Sequence, residues 1–313
     1  MEASGKILRR SVHGFLQNYH YFTSTSAFLA FPFSASVLLL QALISSSSVS
    51  LLPQIYNRLR ILFEAAGFPS SSQLLTILNL KVSQTIISSI FTLPFTLTFF
   101  LFAKASVIQA LNHHKLAVEP SFSSIASLYM PILNTYVFNS FLIISANASA
   151  FCLLFLAFGF VEGLGFSPSP SFLLCLSASG VVLFSVILAN VLVICNLALA
   201  VSGMEGHGGY LTILKACVLI RGRTSMALFL ALPVNVALAA IEALFQFRVV
   251  RAYHHDGKTG PFMALEGIFI AYLYSIFIVL DTIISFMFYK SCMIESWMVD
   301  REGKEDKSFE QIP

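Results

Sequence analysis

The stretch Phe172–Ser202, FLLCLSASGVVLFSVILANVLVICNLALAVS, decides the fold of this chain. Its 31 residues contain no ionisable side chain other than Cys175 and Cys195, and no charged residue occurs between Glu162 and Glu205. An α-helix rises 1.5 Å per residue, so about 20 apolar residues already cross the hydrocarbon core of a bilayer. The stretch therefore predicts a membrane-spanning helix.

Five more stretches have the same character. The chain is 57% hydrophobic and only 11% charged, with a mean hydropathy of +0.83, whereas a soluble domain carries about 25% charged residues. The predicted spans are 22–44, 82–103, 132–161, 172–202, 224–246 and 264–289. We predict an all-α polytopic membrane helix bundle of about six transmembrane helices, with a single transmembrane domain over residues 1–290 and a short mixed-charge cytoplasmic tail over 291–313.

Two connecting segments, Gly5–Tyr21 and Gly209–Arg223, carry apolar side chains at three- and four-residue steps. This spacing predicts amphipathic interfacial helices lying at the headgroup boundary. A helical extension of the next span is the alternative. The predicted apolar faces comprise Leu8, Val12, Phe15, Leu16 and Tyr19 in the first segment, and Leu211, Leu214 and Val218 in the second.

Charge distribution predicts the orientation. Six spans place both termini on the same side, and with the termini inside, 12 of the 18 Lys and Arg residues are inside and six are outside. Cytoplasmic segments carry an excess of these residues, so cytoplasmic N- and C-termini are predicted. The six outer residues are Arg58, Arg60, Lys81, Arg248, Arg251 and Lys258.

Three carboxylates fall within the predicted spans: Glu242, Glu266 and Asp281. A charge at the bilayer centre costs about 2.5–3.5 kcal/mol on insertion scales. Glu242 and Glu266 lie near outer span ends, where they can reach interfacial water. Asp281 lies about eight residues, roughly 12 Å, from the inner end of the last span. We expect it to be protonated, to bond a neighbouring helix, or to relay protons or cations. Lys104 and Arg223 are its expected ionic partners.

A set of amides accompanies these carboxylates: Asn139, Asn147, Asn190, Asn196 and Asn235. Interhelical amide hydrogen bonds average below about 1 kcal/mol in membranes, so their usual role is helix packing. A polar pathway through the bundle is the alternative. The candidate intramembrane polar site comprises Asp281, Glu242, Glu266, Asn147, Asn190, Asn235 and Lys104.

No cofactor, metal or nucleic acid is expected. The five cysteines form no CxxC pair, and His113-His114 and His254-His255 are assigned to loops on opposite faces, which does not suit a zinc site. No predicted span contains the His that an intramembrane hydrolase would need, and no phosphate-loop or nucleophile motif occurs. Basic residues lie at span ends and form no nucleic-acid patch. We predict that the protein is not an enzyme.

Three stretches carry a resemblance to a known family. They are GKILRRSVHGFLQNYHYFTSTSAFLAFPFSASVLL at Gly5–Leu39, GYLTILKACVLIRGRTSMALFLALPVNVALAAIEALF at Gly209–Phe245, and EGIFIAYLYSIFIVLDTIISFMFYKSC at Glu266–Cys292. With them the chain resembles a plant family of uncharacterised multi-pass transmembrane proteins. The resemblance implies a polytopic protein of a plant endomembrane (ER or Golgi) or plasma membrane, and supplies no catalytic or ligand residue.

The expected function is that of a membrane organiser, adaptor or trafficking-type protein, acting through helix packing and through contacts with partners or the lipid bilayer. The alternative is a small proton- or cation-coupled transporter or channel using Asp281, with Glu242 and Glu266 at its outer mouth. The motif Gly159-x-x-x-Gly163 allows close helix packing, so a homo-oligomer or a membrane-protein partner is also expected.

Overall fold

The structure, a computed structural model, describes residues 2–45, 51–65, 73–112, 122–163, 170–256 and 260–309. Regular structure in these ranges is entirely helical and consists of twelve α-helices and three π-helical turns. The α-helices are α1 Glu2–Gln17, α2 Tyr19–Thr25, α3 Phe31–Ser45, α4 Leu51–Ala65, α5 Gln73–Phe95, α6 Leu101–Asn112, α7 Phe122–Gly163, α8 Pro170–Glu205, α9 Tyr210–Ile220, α10 Thr224–Phe245, α11 Arg251–Asp256 and α12 Pro261–Phe309. The π-helical turns are Ser26–Ala30, Thr96–Phe100 and Gln246–Val250.

Six helical stretches within the described ranges are long and apolar enough to cross a membrane. Each overlaps one of the predicted spans, so the predicted all-α membrane fold is confirmed. Helix α12 continues to Phe309, so the predicted tail is helical as far as that residue. The six stretches are Tyr19–Ile44, Asn79–Asn112, Ser123–Leu153, Ala178–Glu205, Thr224–Tyr253 and Pro261–Ile294.

The chain forms two compact units, and each has buried apolar residues of its own. Unit 1 comprises Met1–Asn18, Ala105–Val234 and Leu280–Pro313, and unit 2 comprises Tyr19–Lys104 and Asn235–Val279. In unit 1, α7 packs along α8, and the short helix α9 packs against both. In unit 2, α5 packs against α3 and α4.

Serine and threonine hydroxyls inside the apolar helices donate to carbonyls of their own helix. Ser26 donates to the Phe22 carbonyl at 2.8 Å and Thr92 donates to the Ser88 carbonyl at 2.7 Å. This pairing with the preceding turn satisfies the hydroxyl without a partner from another helix. The many hydroxyls of these spans are therefore compatible with a hydrocarbon environment.

Two of the π-helical turns in the described ranges adjoin a proline. Pro32 follows the turn Ser26–Ala30, and Pro94 precedes the turn Thr96–Phe100. Proline lacks the N–H that would bond the carbonyl four residues earlier, and a π-helical turn is one way in which a helix accommodates such an interruption. The two turns contact each other within unit 2.

Helices form in both segments that were predicted to be interfacial. Helix α1 buries Ile7 and Ser11 in unit 1, and α9 buries Ala216. The apolar face predicted for α9 is the face left uncovered, since Leu211 is 76% exposed and Val218 is 70% exposed. An exposed apolar face of this kind is suited to lipid at the headgroup boundary or to a partner.

Candidate intramembrane polar site

Asp281 lies on α12 and is hydrogen-bonded to a neighbouring helix. Asn196 on α8 donates from Nδ2 to Asp281 Oδ2 over 3.2 Å. Both side chains are half-buried and belong to unit 1. An amide N–H can donate to a carboxylate or to the carbonyl oxygen of a carboxylic acid, so the contact joins α8 to α12 in either protonation state.

Glu205, at the end of α8, is a junction that sequence reasoning missed. Its Oε1 accepts a hydrogen bond from the Tyr289 hydroxyl at 2.8 Å and forms an ion pair with the Lys215 ammonium. Three helices, α8, α9 and α12, therefore meet at one carboxylate. A signal was present in the sequence, because Glu205 ends the charge-free stretch and Lys215 is the one charged residue of α9, ten positions later.

Thr135 of α7 holds the start of α9. The Gly209 N–H donates to Thr135 Oγ1 at 3.0 Å, and the hydroxyl oxygens of Thr135 and Thr212 lie 3.2 Å apart. Gly209 has φ +101°, a backbone conformation that favours glycine. Since glycine has no side chain to cap the helix, Thr135 supplies an acceptor to one of the N–H groups that every helix start leaves unpaired.

Gly208 lies directly against the backbone of α7. A Cβ atom at this position would overlap the Pro131 carbonyl oxygen and would lie 2.7 Å from the Pro131 Cα. Because the obstructing atoms belong to the backbone, a side-chain rotation cannot relieve the overlap. The connection from α8 to α9 therefore requires glycine at this residue.

The four amides of the predicted set that belong to unit 1 divide into two kinds. Asn139 donates to the Cys195 carbonyl at 2.9 Å and so joins α7 to α8. Asn147 and Asn190 instead donate to carbonyls four residues earlier in their own helices, at 2.9 and 2.8 Å. Asn235 lies exposed on α10 in unit 2. Asn147 and Asn190 thus bond within single helices, whereas Asn139 and Asn196 connect two.

The two span carboxylates of unit 2 are both bonded to other elements. The Tyr274 hydroxyl of α12 donates to Glu242 Oε1 of α10 at 2.9 Å. Arg248 Nη2, in the π-helical turn after α10, lies 2.5 Å from Glu266 Oε1 of α12. These contacts place Glu242 and Glu266 in interhelical pairs.

Lys104 is 2% exposed, although it is a lysine at the end of a predicted span. Its Nζ lies 5.0 Å from the centroid of the Phe100 ring, a distance at which the face of an aromatic ring attracts a cation. Both residues belong to unit 2. The ionic partnership with Asp281 that we expected for Lys104 stays a prediction.

Among the described residues, no group of three or more His, Cys, Asp or Glu side chains could hold a metal ion. His113 and His114 lie outside the described residues, and so do the side chains of His254 and His255. The described carboxylates of the site take part instead in hydrogen bonds and ion pairs between different helical elements.

A family model described as "Domain of unknown function (DUF8558)" matches residues 3–300 of the chain. The match covers all six candidate spans of the described ranges. No curated protein and no solved structure matches the chain.

Proposed function

Since this chain belongs to the family of the domain of unknown function DUF8558, we propose its function from the geometry of the described residues. We propose that the protein is a multi-pass membrane organiser, adaptor or trafficking-type protein without catalytic activity. It acts through helix packing and through contacts with partners and lipid.

One observation carries this proposal: four residues along helix α12 form hydrogen bonds or ion pairs with other helical elements. Among the described residues, the carboxylates of the candidate spans are Glu205, Glu242, Glu266 and Asp281. Each interacts with a side chain from another element, and in every case one member of the interacting pair belongs to α12. The four members from α12 are Glu266, Tyr274, Asp281 and Tyr289. Groups that are costly in hydrocarbon are thus used to join helices, as expected of a packing scaffold.

The exposed face of α9 offers a direct test. A photo-crosslinking amino acid would be placed at Val218, and the matched control would carry it at Val182, an exposed position of α8. In native membranes we expect a discrete protein adduct of one mass at Val218 and lipid adducts at Val182. Lipid adducts alone at both positions would contradict the adaptor role of α9.

The alternative is a small proton- or cation-coupled transporter or channel using Asp281, which is kept because this carboxyl is only half-buried. Purified protein in vesicles with an enclosed pH-sensitive dye distinguishes the two functions. For an organiser, proton flux equals that of protein-free vesicles. A flux that Asp281→Asn abolishes would replace the organiser proposal with the transporter.

We also propose that both termini are cytoplasmic and that the protein resides in a plant endomembrane (ER or Golgi) or plasma membrane. The excess of Lys and Arg on the assigned inner side supports the orientation. The proposed plant membrane is supported by the resemblance of three stretches to plant proteins: Gly5–Leu39, Gly209–Phe245 and Glu266–Cys292. Its partners are the lipid bilayer and a membrane protein or a second copy of the chain.

A further inference from the structure

Unit 2 contains an apolar groove of about 300 Å³ between α3, the end of α10 and the start of α12. Its floor is formed by buried side chains, among them Leu38, Phe245 and Ala271. Leu39 and Ile268 line it as well, and they are 56% and 54% exposed. A groove with a buried floor and an exposed apolar rim opens sideways, toward the hydrocarbon around a membrane helix.

Gly267 leaves this groove open. A Cβ atom at Gly267 would meet Phe245 Cε2 at 3.7 Å and Val249 Cγ2 at 3.9 Å, which is ordinary van der Waals contact. The backbone therefore has room for a Cβ atom at this position. The volume of the groove is at the lower end of the range of about 300–1,000 Å³ typical of ligand pockets, so it fits one hydrocarbon chain better than a bulky ligand.

Charged residues are close in sequence to residues that line the groove. Arg248 and Glu266, which are ion-paired, immediately precede the lining residues Val249 and Gly267. Arg251 is exposed, with its guanidinium carbon 5.4 Å from the Phe247 ring centroid. Among the described side chains within two positions of Val249 and Gly267, two guanidinium groups and one carboxylate are charged, so positive charge is in excess in these two segments.

The groove extends along α12 from near the start of this helix into the apolar span. Its lining on α12 runs from Met263 to Ala271, which is from about 3 to about 15 Å beyond Pro261 at 1.5 Å per residue. One end of the groove is therefore close to the helix start, and the other end lies within the apolar span. An amphipathic ligand with a long hydrocarbon chain satisfies both ends.

We propose that this groove binds one acyl chain of a phospholipid, with the phosphate of that lipid beside Arg248 and Arg251. The lining is entirely nonpolar, so it offers no hydrogen bond to a polar ligand, whereas guanidinium groups bind phosphate by charge-assisted hydrogen bonds. The site is separate from the α9 face and does not depend on whether α9 contacts a partner.

The test uses the full chain in bilayer nanodiscs and a phospholipid that carries a photoactivatable diazirine on its acyl chain. Adducts are located by mass spectrometry. We expect labelling at Met263, and this labelling should fall about tenfold in Gly267→Leu. The new side chain would keep at least two methylene groups of the acyl chain from being buried in the groove. Ala264→Leu, at the exposed rim, is a second filling variant and should have the same effect. Ala240→Leu, exposed on α10 outside the groove, is the matched control and should leave labelling unchanged.

A second arm tests the headgroup. The double variant Arg248→Gln with Arg251→Gln should lower labelling by the phospholipid probe severalfold. Labelling by a second probe, which carries the same acyl chain on an uncharged alcohol, should be unchanged. Equal labelling of Met263 and the non-lining residue Leu244, unaffected by either filling variant, would overturn the proposal because it indicates ordinary surrounding lipid. Stronger labelling by a sterol probe, abolished by the filling variants, would overturn the assignment to an acyl chain.

Discussion

Asp281 and Asn196 illustrate how single residues of this protein reduce the cost of polar groups in a membrane. An unpaired carboxyl in hydrocarbon loses its hydration without compensation. The amide of Asn196 on α8 supplies a hydrogen bond at 3.2 Å. The same atoms that reduce this cost also join two helices, so the pair has a structural role whatever further role Asp281 performs.

Alanine substitutions at these two residues should therefore be coupled. Asp281→Ala and Asn196→Ala each remove the same hydrogen bond, so the double variant should lose less free energy of unfolding than the sum of the two single variants. We expect a coupling energy of about 0.5–1.5 kcal/mol, measured by denaturant unfolding in detergent micelles. Asn190→Ala is the matched control, because that amide donates within α8 and should combine additively with Asp281→Ala. Additive behaviour of the Asn196 pair would contradict a stabilising hydrogen bond.

Gly208 is the residue whose substitution should be tolerated least. Gly208→Ala forces a Cβ atom against the Pro131 backbone, and we expect a loss of about 3 kcal/mol in the free energy of unfolding, the upper part of the range for overpacking. Gly206→Ala is the control. Gly206 has φ +67° and no described neighbour within 4 Å of a built Cβ, so backbone strain alone should cost about 1–2 kcal/mol there. Equal losses in both variants would show that the close approach to α7 does not determine stability.

At the scale of elements, α9 is a short helix that other helices hold in place. Its 11 residues are too few for a stable isolated helix in water, where about 12–15 residues are marginal. Thr135 of α7 bonds its first turn, and Glu205 of α8 pairs with Lys215 near its middle. The conformation of α9 therefore depends on contacts made by α7 and α8.

Glu205→Gln should loosen α9 selectively. The amide oxygen can still accept the Tyr289 hydrogen bond, but the attraction to the Lys215 ammonium is lost. We expect faster hydrogen exchange of the amides in Tyr210–Ile220 and unchanged exchange in α7, measured by mass spectrometry in detergent. Tyr289→Phe, which keeps the ion pair, should affect α12 more than α9. Unchanged exchange in α9 of the Glu205→Gln variant would mean that the ion pair does not hold this helix.

At the scale of the whole molecule, the even number of candidate spans in the described ranges constrains the topology. Six crossings return the chain to the side on which it began. The connecting segments then alternate between the two sides, and the excess of Lys and Arg on the side of the termini supports our proposal that this side is the cytoplasm.

Epitope tags test this topology. Tags at the N-terminus and at the C-terminus should both be digested when protease is added to the cytoplasmic face of sealed membranes. A tag inserted at 257–259, between the fifth and sixth candidate spans, should be protected under the same conditions and digested after detergent is added. Protection of only one terminal tag would require an odd number of crossings.

Much of the fold could be predicted from local sequence, and the partners of the polar residues could not. The block Phe172–Ser202 predicts a span because the energy of transferring a helix into hydrocarbon depends on its composition and length alone. The exposed face of α9 follows from the spacing of Leu211, Leu214 and Val218, because residues three or four positions apart lie on the same face of a helix. The junction at Glu205 does not follow from the predicted spans, because it lies outside them and depends on the charge of Lys215 ten positions later.

Asn190 and Asn196 show where local sequence ceases to be informative. Both are asparagines of α8, surrounded by apolar residues, yet Asn190 bonds its own helix and Asn196 bonds Asp281 of α12. A helix that is apolar on all sides has no hydropathic preference for its rotation about its axis. The sequence by itself therefore determined the all-α membrane fold, the approximate spans and the exposed apolar face of α9. Only the packing of α8 against its neighbours decided which polar side chains meet, because that packing sets the rotation of each helix.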